Sequence, residues 1–222
     1  MTWYDGPTLL EHLETVPIGL DPRDQPFRLP VQYVNRPRTA EHPDYRGFSG
    51  RIASGVIRVG DEIVVNPLGR KSTVTGIDVL GKPAEVAFAP QSITLSLSDE
   101  IDIVRGDVIS SIAGSPLSTR EVTATVCVLA DSPIEKGQRL LARFGPKTVR
   151  VIVADIVDRL DLNSLEHESH SGSLELNDVG TLVLRLADDV VVDNYDDLRT
   201  TSAFILVDDH DGSTLAGGMT RC

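Results

Sequence analysis

The stretch Arg46-Gly47-Phe48-Ser49-Gly50-Arg51-Ile52-Ala53-Ser54-Gly55-Val56-Ile57-Arg58-Val59-Gly60-Asp61-Glu62-Ile63 decides the fold. Residues 50–55 and 61–65 read as strands on either side of a turn at Val59-Gly60. β-Branched residues suit a pleated, half-buried surface, and glycine supplies the positive φ of a tight corner. The same pattern runs outward. Upstream, 29–34 is an extended run; downstream, 72–77 follows the loop Pro67-Leu68-Gly69-Arg70, 92–97 alternates strictly, and 108–109 follows the corner Arg105-Gly106-Asp107. After an interruption at Gly114-Ser115-Pro116-Leu117-Ser118, strands resume at 121–128, 139–144, 148–157, 181–186 and 203–207. About six strands in each half suit a small closed barrel, which removes unpaired edges.

One segment has helical character. Thr8 is an N-cap with Glu11 three residues on, a capping box, and Leu9, Leu10 and Leu13 share a face before Pro17 and Gly19 end the helix. So short a helix needs a surface to pack on. The segment 20–26 reads as an extended linker. The expected fold class is all-β: a short helix and linker over 1–26, a first barrel over 27–115 and a second over 116–222.

The chain has 222 residues and a net charge of −12. A balance this acidic argues against nucleic-acid binding, which needs a basic face. No apolar run is long enough for a membrane helix, and the N-terminus lacks a signal-like core. Two cysteines, Cys127 and Cys222, make no disulfide framework, so a cytoplasmic location is expected. The acid is uneven: residues 1–115 balance to −4 and residues 116–222 to −8. Asp188, Asp189, Asp193, Asp196, Asp197, Asp208, Asp209 and Asp211 form two clusters without the EF-hand spacing, and read as solvated loops rather than a metal site.

Catalytic and nucleotide motifs mostly fail. Gly76-Ile77-Asp78-Val79-Leu80-Gly81-Lys82-Pro83 matches a phosphate loop until its last position, where proline has neither hydroxyl nor N–H. No guanine-reading Asn-Lys-x-Asp occurs. His167 and His170 flank Glu168 in a serine-rich loop too poor in ligands for a metal. Cys127, within an alternating strand, reads as a core residue, and Arg105-Gly106-Asp107 as a tight turn. No catalytic, cofactor-binding or metal-binding residue is assigned. Arg36, Arg38 and Arg46, around a loop rich in proline and histidine, form the one basic patch and the candidate partner-contact loop.

With its Gly-x-Ile-x-x-Gly-Asp-like corner, the 46–63 stretch resembles the first barrel of translation-factor-type GTPases. Three further segments narrow the resemblance: Trp3-Tyr4-Asp5-Gly6-Pro7-Thr8-Leu9-Leu10-Glu11, Pro30-Val31-Gln32-Tyr33-Val34-Asn35-Arg36-Pro37 and Leu174-Glu175-Leu176-Asn177-Asp178-Val179-Gly180. They are similar to the GTPase (large) subunit of bacterial sulfate adenylyltransferase. The resemblance implies a subunit that couples GTP hydrolysis to formation of adenosine 5′-phosphosulfate from ATP and sulfate on a small catalytic subunit. In that family GTP and magnesium belong to a G domain preceding the Trp3-Tyr4 segment, so none of its motifs carries over to a residue here. The implied partners are the small subunit and that G domain. Two other readings stay open: the barrels of a translation elongation GTPase holding tRNA, which the acidity disfavours, and a free-standing enzyme with a site between the barrels.

Overall fold

The computed structural model describes residue 4 and residues 6–16, 21–37, 45–169 and 172–221. Helix α1 (Leu9–Thr15) starts where the capping box places it: Glu11 N–H donates to Thr8 Oγ1 at 3.2 Å, and Thr8 N–H to Glu11 Oε2 at 3.2 Å. Its leucines bury nothing. Leu9, Leu10 and Leu13 are 75, 66 and 62% exposed. The expected linker is not simply extended. Asp21 caps a 3-10 turn over Pro22–Asp24, with proline where its missing N–H costs nothing. Arg23 lies 4.5 Å over the Phe88 ring, docking this turn on the first half of the chain.

The first half contains β1 (Arg28–Pro30), β2 (Tyr33–Asn35), β3 (Gly47–Arg51), β4 (Val56–Arg58), β5 (Glu62–Asn66), β6 (Arg70–Val79), β7 (Lys82–Ala84), β8 (Val86–Phe88), β9 (Ser92–Leu97) and β10 (Val108–Ser111). The order is β1-β10-β5-β6-β9-β3-β2, with β7 on β6 and a separate β4–β8 ribbon. Closure is incomplete: among the described residues, the bridge Arg28↔Ser54 joins the β1 edge to the segment after β3. This half-barrel replaces the closed barrel expected of the first half. The reason is physical: β1 and β2 are three residues each, too short for a continuous ladder. Leu29, Phe48, Ile63, Ile77, Leu95 and Ile109 fill its core. The failed phosphate loop is a β6–β7 hairpin with Leu80 and Gly81 at its tip, both at positive φ, and no helix follows.

The second sheet does close. It uses β11 (Leu117–Val128), β12 (Arg139–Phe144), β13 (Lys147–Leu160), β14 (His167–Ser169), β15 (Val179–Val192), the short α2 (Arg199–Ser202), β16 (Ala203–Val207) and β17 (Thr214–Arg221). The ring runs β12-β16-β17-β11-β15-β13 and returns to β12, with β14 appended to β13. Long strands bend around it, helped by register shifts at Thr119/Glu121, Val153/Asp155 and Ile156/Asp158. Three expectations change here. Strand β11 begins at Leu117, inside the predicted interruption. β15 runs on through Asp188 and Asp189, so these are strand residues rather than loop residues. Cys127 is half-buried on the face opposite Val126 and Val128, outside the core.

The two sheets meet at named contacts. The Arg105-Gly106-Asp107 corner is the tight turn expected, with Gly106 at φ +97. It also abuts the β12–β13 turn, where a Cβ on Gly106 would lie 2.8 Å from Lys147 Cβ. Arg105 donates to Pro146 O at 3.4 Å. Beside it Arg28, 4% exposed at its side chain, makes a bidentate pair with Asp193: Nε to Oδ2 at 3.1 Å and Nη2 to Oδ1 at 2.8 Å. Phe27 O and Gly114 O accept its remaining bonds, and Thr201 Oγ1 donates to Asp193 Oδ2 at 2.7 Å. A buried guanidinium is tolerable only when so fully partnered.

Candidate partner-contact site

Of the three arginines singled out by sequence, Arg36 and Arg46 are brought to the same place, and Arg38 lies outside the described residues. Arg36 follows β2, which pairs with β3, and Arg46 immediately precedes β3. Both reach the segment before β10. Arg46 Nη1 donates to Ile101 O at 2.8 Å. Arg36 Nη2 lies 3.7 Å from Asp102 Oδ1, with 35% of the arginine side chain and 93% of the aspartate side chain exposed. Arg46 thus has a structural occupation, tying the start of β3 to a buried isoleucine's backbone. Arg36 keeps more freedom, since an ion pair this exposed is weak.

Next to them lies an open groove of about 580 Å³ on the first sheet, lined by Tyr33, Tyr45, Asp78, Leu80, Ile93 and Thr94, among others. Burial first, then the negative charge of Asp78, raises the Tyr45 phenol above its ordinary value. The groove therefore offers hydroxyl groups, apolar area and the Asp78 carboxylate rather than fixed positive charge.

Of the acidic clusters read as solvated loops, Asp208, Asp209 and Asp211 do lie in the turn between β16 and β17, and several of the acids have partners. Asp189 Oδ2 accepts from Arg120 Nη2 at 3.1 Å, and Asp193 anchors Arg28. Asp208 Oδ1 accepts from His210 N–H at 2.7 Å, and Asp211 Oδ1 from Ser213 N–H at 2.8 Å, which holds the Asp211 carboxyl below its ordinary range. These acids cap turns and pair with arginines. Among the described residues no three His, Cys, Asp or Glu side chains converge as metal ligands. His167 Nδ1 lies 2.9 Å from Asp158 Oδ1 across the β13–β14 edge, while His170 and Cys222 lie outside the described residues.

The comparisons agree with this architecture. Residues 121–221 match the model of the GTP-eEF1A C-terminal domain-like family. In fold, sup35 complexed with GDP superposes with a TM-score of 0.80 at 20% identity, over 100% of this chain and 53% of that one. The chain thus shares the fold of that structure, a half-barrel sheet followed by a closed six-stranded barrel, and its second half matches the eEF1A C-terminal domain-like model. Along its length it is similar to proteins named bifunctional enzyme CysN/CysC and sulfate adenylyltransferase subunit 1. It is 42% identical over 98% of its length to the bifunctional enzyme CysN/CysC of Mycobacterium tuberculosis, and 38% identical over 98% to sulfate adenylyltransferase subunit 1 of Teredinibacter turnerae. It spans 36% and 45% of those two relatives. No helix among the described residues is long and apolar enough to cross a membrane.

Proposed function

We propose that this chain is the two-barrel docking unit of a sulfate adenylyltransferase large subunit. The observation that carries the reading is identity of 38–42% over 98% of the chain to proteins of that name. In this reading GTP and magnesium are held by a G domain of the large subunit. The small subunit forms adenosine 5′-phosphosulfate and pyrophosphate from ATP and sulfate, the entry to sulfate assimilation and cysteine synthesis in the cytoplasm. The chain's own part is mechanical: it presents one surface to each partner and fixes their relation. Coupling an unfavourable adenylyl transfer to GTP hydrolysis requires that a change at one site alter the energetics at the other. The Arg28–Asp193 pair and the Gly106–Lys147 contact support this role, because they join the surfaces of the two barrels through a buried junction. On the first sheet, Arg36 and Arg38 are the proposed partner contacts, with Arg46 shaping the loop that carries them.

Two measurements test the reading. Co-expressed with the small subunit, the tagged chain should co-purify with it in equal amounts. Equilibrium dialysis should find no GTP bound to the isolated chain. Separate elution at micromolar concentration contradicts the docking role, and stoichiometric GTP binding contradicts the placement of the nucleotide site.

A further inference from the structure

The outer face of the second barrel carries a basic patch not visible as a cluster in the sequence. Strand alternation sends Leu140, Val151 and Leu186 toward the core and their neighbours Arg139, Arg150, Ile152 and Arg185 outward. The register then sets three strands side by side: Arg139 pairs with Ile152, and Ile152 with Arg185. The result is an open groove of about 410 Å³ with an isoleucine between arginines. Ile152 is 42% exposed, and the register sets it between two arginines. Arg139 and Arg150 make no hydrogen bond or ion pair among the described residues. Arg185 makes one exposed pair, Nε to Glu121 Oε2 at 3.2 Å, and Asp209 sits on the rim.

This patch lies in the more acidic half of the chain, where residues 116–222 balance to −8. Three of that half's ten basic residues are concentrated here. An apolar centre ringed by arginines is the composition of a protein interface core and rim. Guanidinium forks match carboxylates in two-point geometry. A nucleic acid is disfavoured, because a long run of phosphates would also meet the net −12 field of the chain.

We propose that the Arg139–Ile152–Arg185 face, with Arg150, receives a carboxylate-bearing segment of the sulfate adenylyltransferase small subunit. This rests on the functional reading above. Carboxylates of the partner bridge Arg139 and Arg150, an apolar side chain covers Ile152, and Arg185 exchanges or shares Glu121.

Isothermal titration of the 222-residue chain with purified small subunit tests it, at low and at moderate salt. Arg139→Glu/Arg150→Glu should weaken binding by at least about thirtyfold, since reversal adds repulsion to the lost pairs. Arg58→Glu/Lys71→Glu, in the first half of the chain, should change it by less than about twofold, as expected of charges outside the interface. The parent's affinity should fall with salt and the double variant's should not. If the reversal does not fold, Arg139→Gln/Arg150→Gln adds no charge and should still cost about tenfold. Tight binding by the parent with both arginine variants within twofold overturns this surface and leaves the subunit reading standing. No binding by the parent overturns the reading and the surface with it. Salt-sensitive binding of duplex RNA, lost in the reversal, reassigns the face to nucleic acid and overturns the proposal. So does self-association of the parent that the reversal abolishes.

Discussion

Asp107 shows how one residue can work against the pH behaviour of other carboxylates in the chain. It is 4% exposed, and its Oδ2 accepts from Val104 N–H at 3.0 Å. Burial pushes its carboxyl above the ordinary range, only partly offset by the Val104 bond and by Lys147 across the junction. A carboxyl raised in the folded state binds protons more tightly there than in the unfolded chain. Its contribution to stability therefore falls as pH rises from the ordinary carboxylate range through the raised value. Asp99, Asp155, Asp161 and Asp211 are held low by their hydrogen bonds and do the reverse, losing their contribution as pH falls. Asp107→Asn keeps an oxygen for Val104 and removes the charge. Its Tm relative to the parent should thus be more favourable near about pH 7 than near about pH 3.5; an advantage that shrinks as pH rises contradicts the assignment. Little of this was legible beforehand. Arg105-Gly106-Asp107 announces a turn, but only the fold reveals that the turn is buried against Lys147. The candidate arginines were legible as a patch, whereas Arg46's bond to Ile101 O joins residues 55 apart in sequence.

At the scale of the element, alternation located the strands where one face meets the core. Strands β9, β12 and β16 have the bounds read from the sequence, because each is a short apolar run with a clear end on both sides. Strand β17 is not among the strands read from the sequence; its Gly217 and Gly218 are residues depleted in strands. The structure gives Gly218 a reason: a Cβ there would run into the Phe204 ring, which stacks on Phe144 with centroids 4.7 Å apart. A Cβ on Gly217 meets open space. Gly218→Ala should cost about 1–3 kcal/mol through overpacking, and Gly217→Ala should be near neutral or slightly stabilising. Urea denaturation reads both; equal effects would contradict this packing. The arginine face was in principle readable, as arginines in the outward phase of three predicted strands. What sequence alone lacked was the register that puts β13 between β12 and β15.

For the whole molecule, the junction is the feature that makes two sheets one unit. Arg28 and Asp193 are 165 residues apart in sequence, and no periodicity links them. Arg28→Met leaves the Asp193 carboxylate buried without its cation and should cost about 3–5 kcal/mol in urea denaturation. Arg28→Met/Asp193→Leu should recover most of that loss, since a matched apolar pair can replace a buried ion pair. A single variant within about 0.5 kcal/mol of the parent would show that the pair does not hold the junction. Two successive β units were foreseeable from the 46–63 stretch and the break near 114–118, but not the strand order within them. The incomplete closure of the first was not, because it turns on strands of three residues. The central claim is that this two-barrel unit docks a catalytic partner, and sedimentation velocity of the chain mixed with the small subunit tests it most directly. The account predicts one faster boundary containing both in equal amounts at micromolar concentration; two boundaries at the positions of the separate proteins would contradict it.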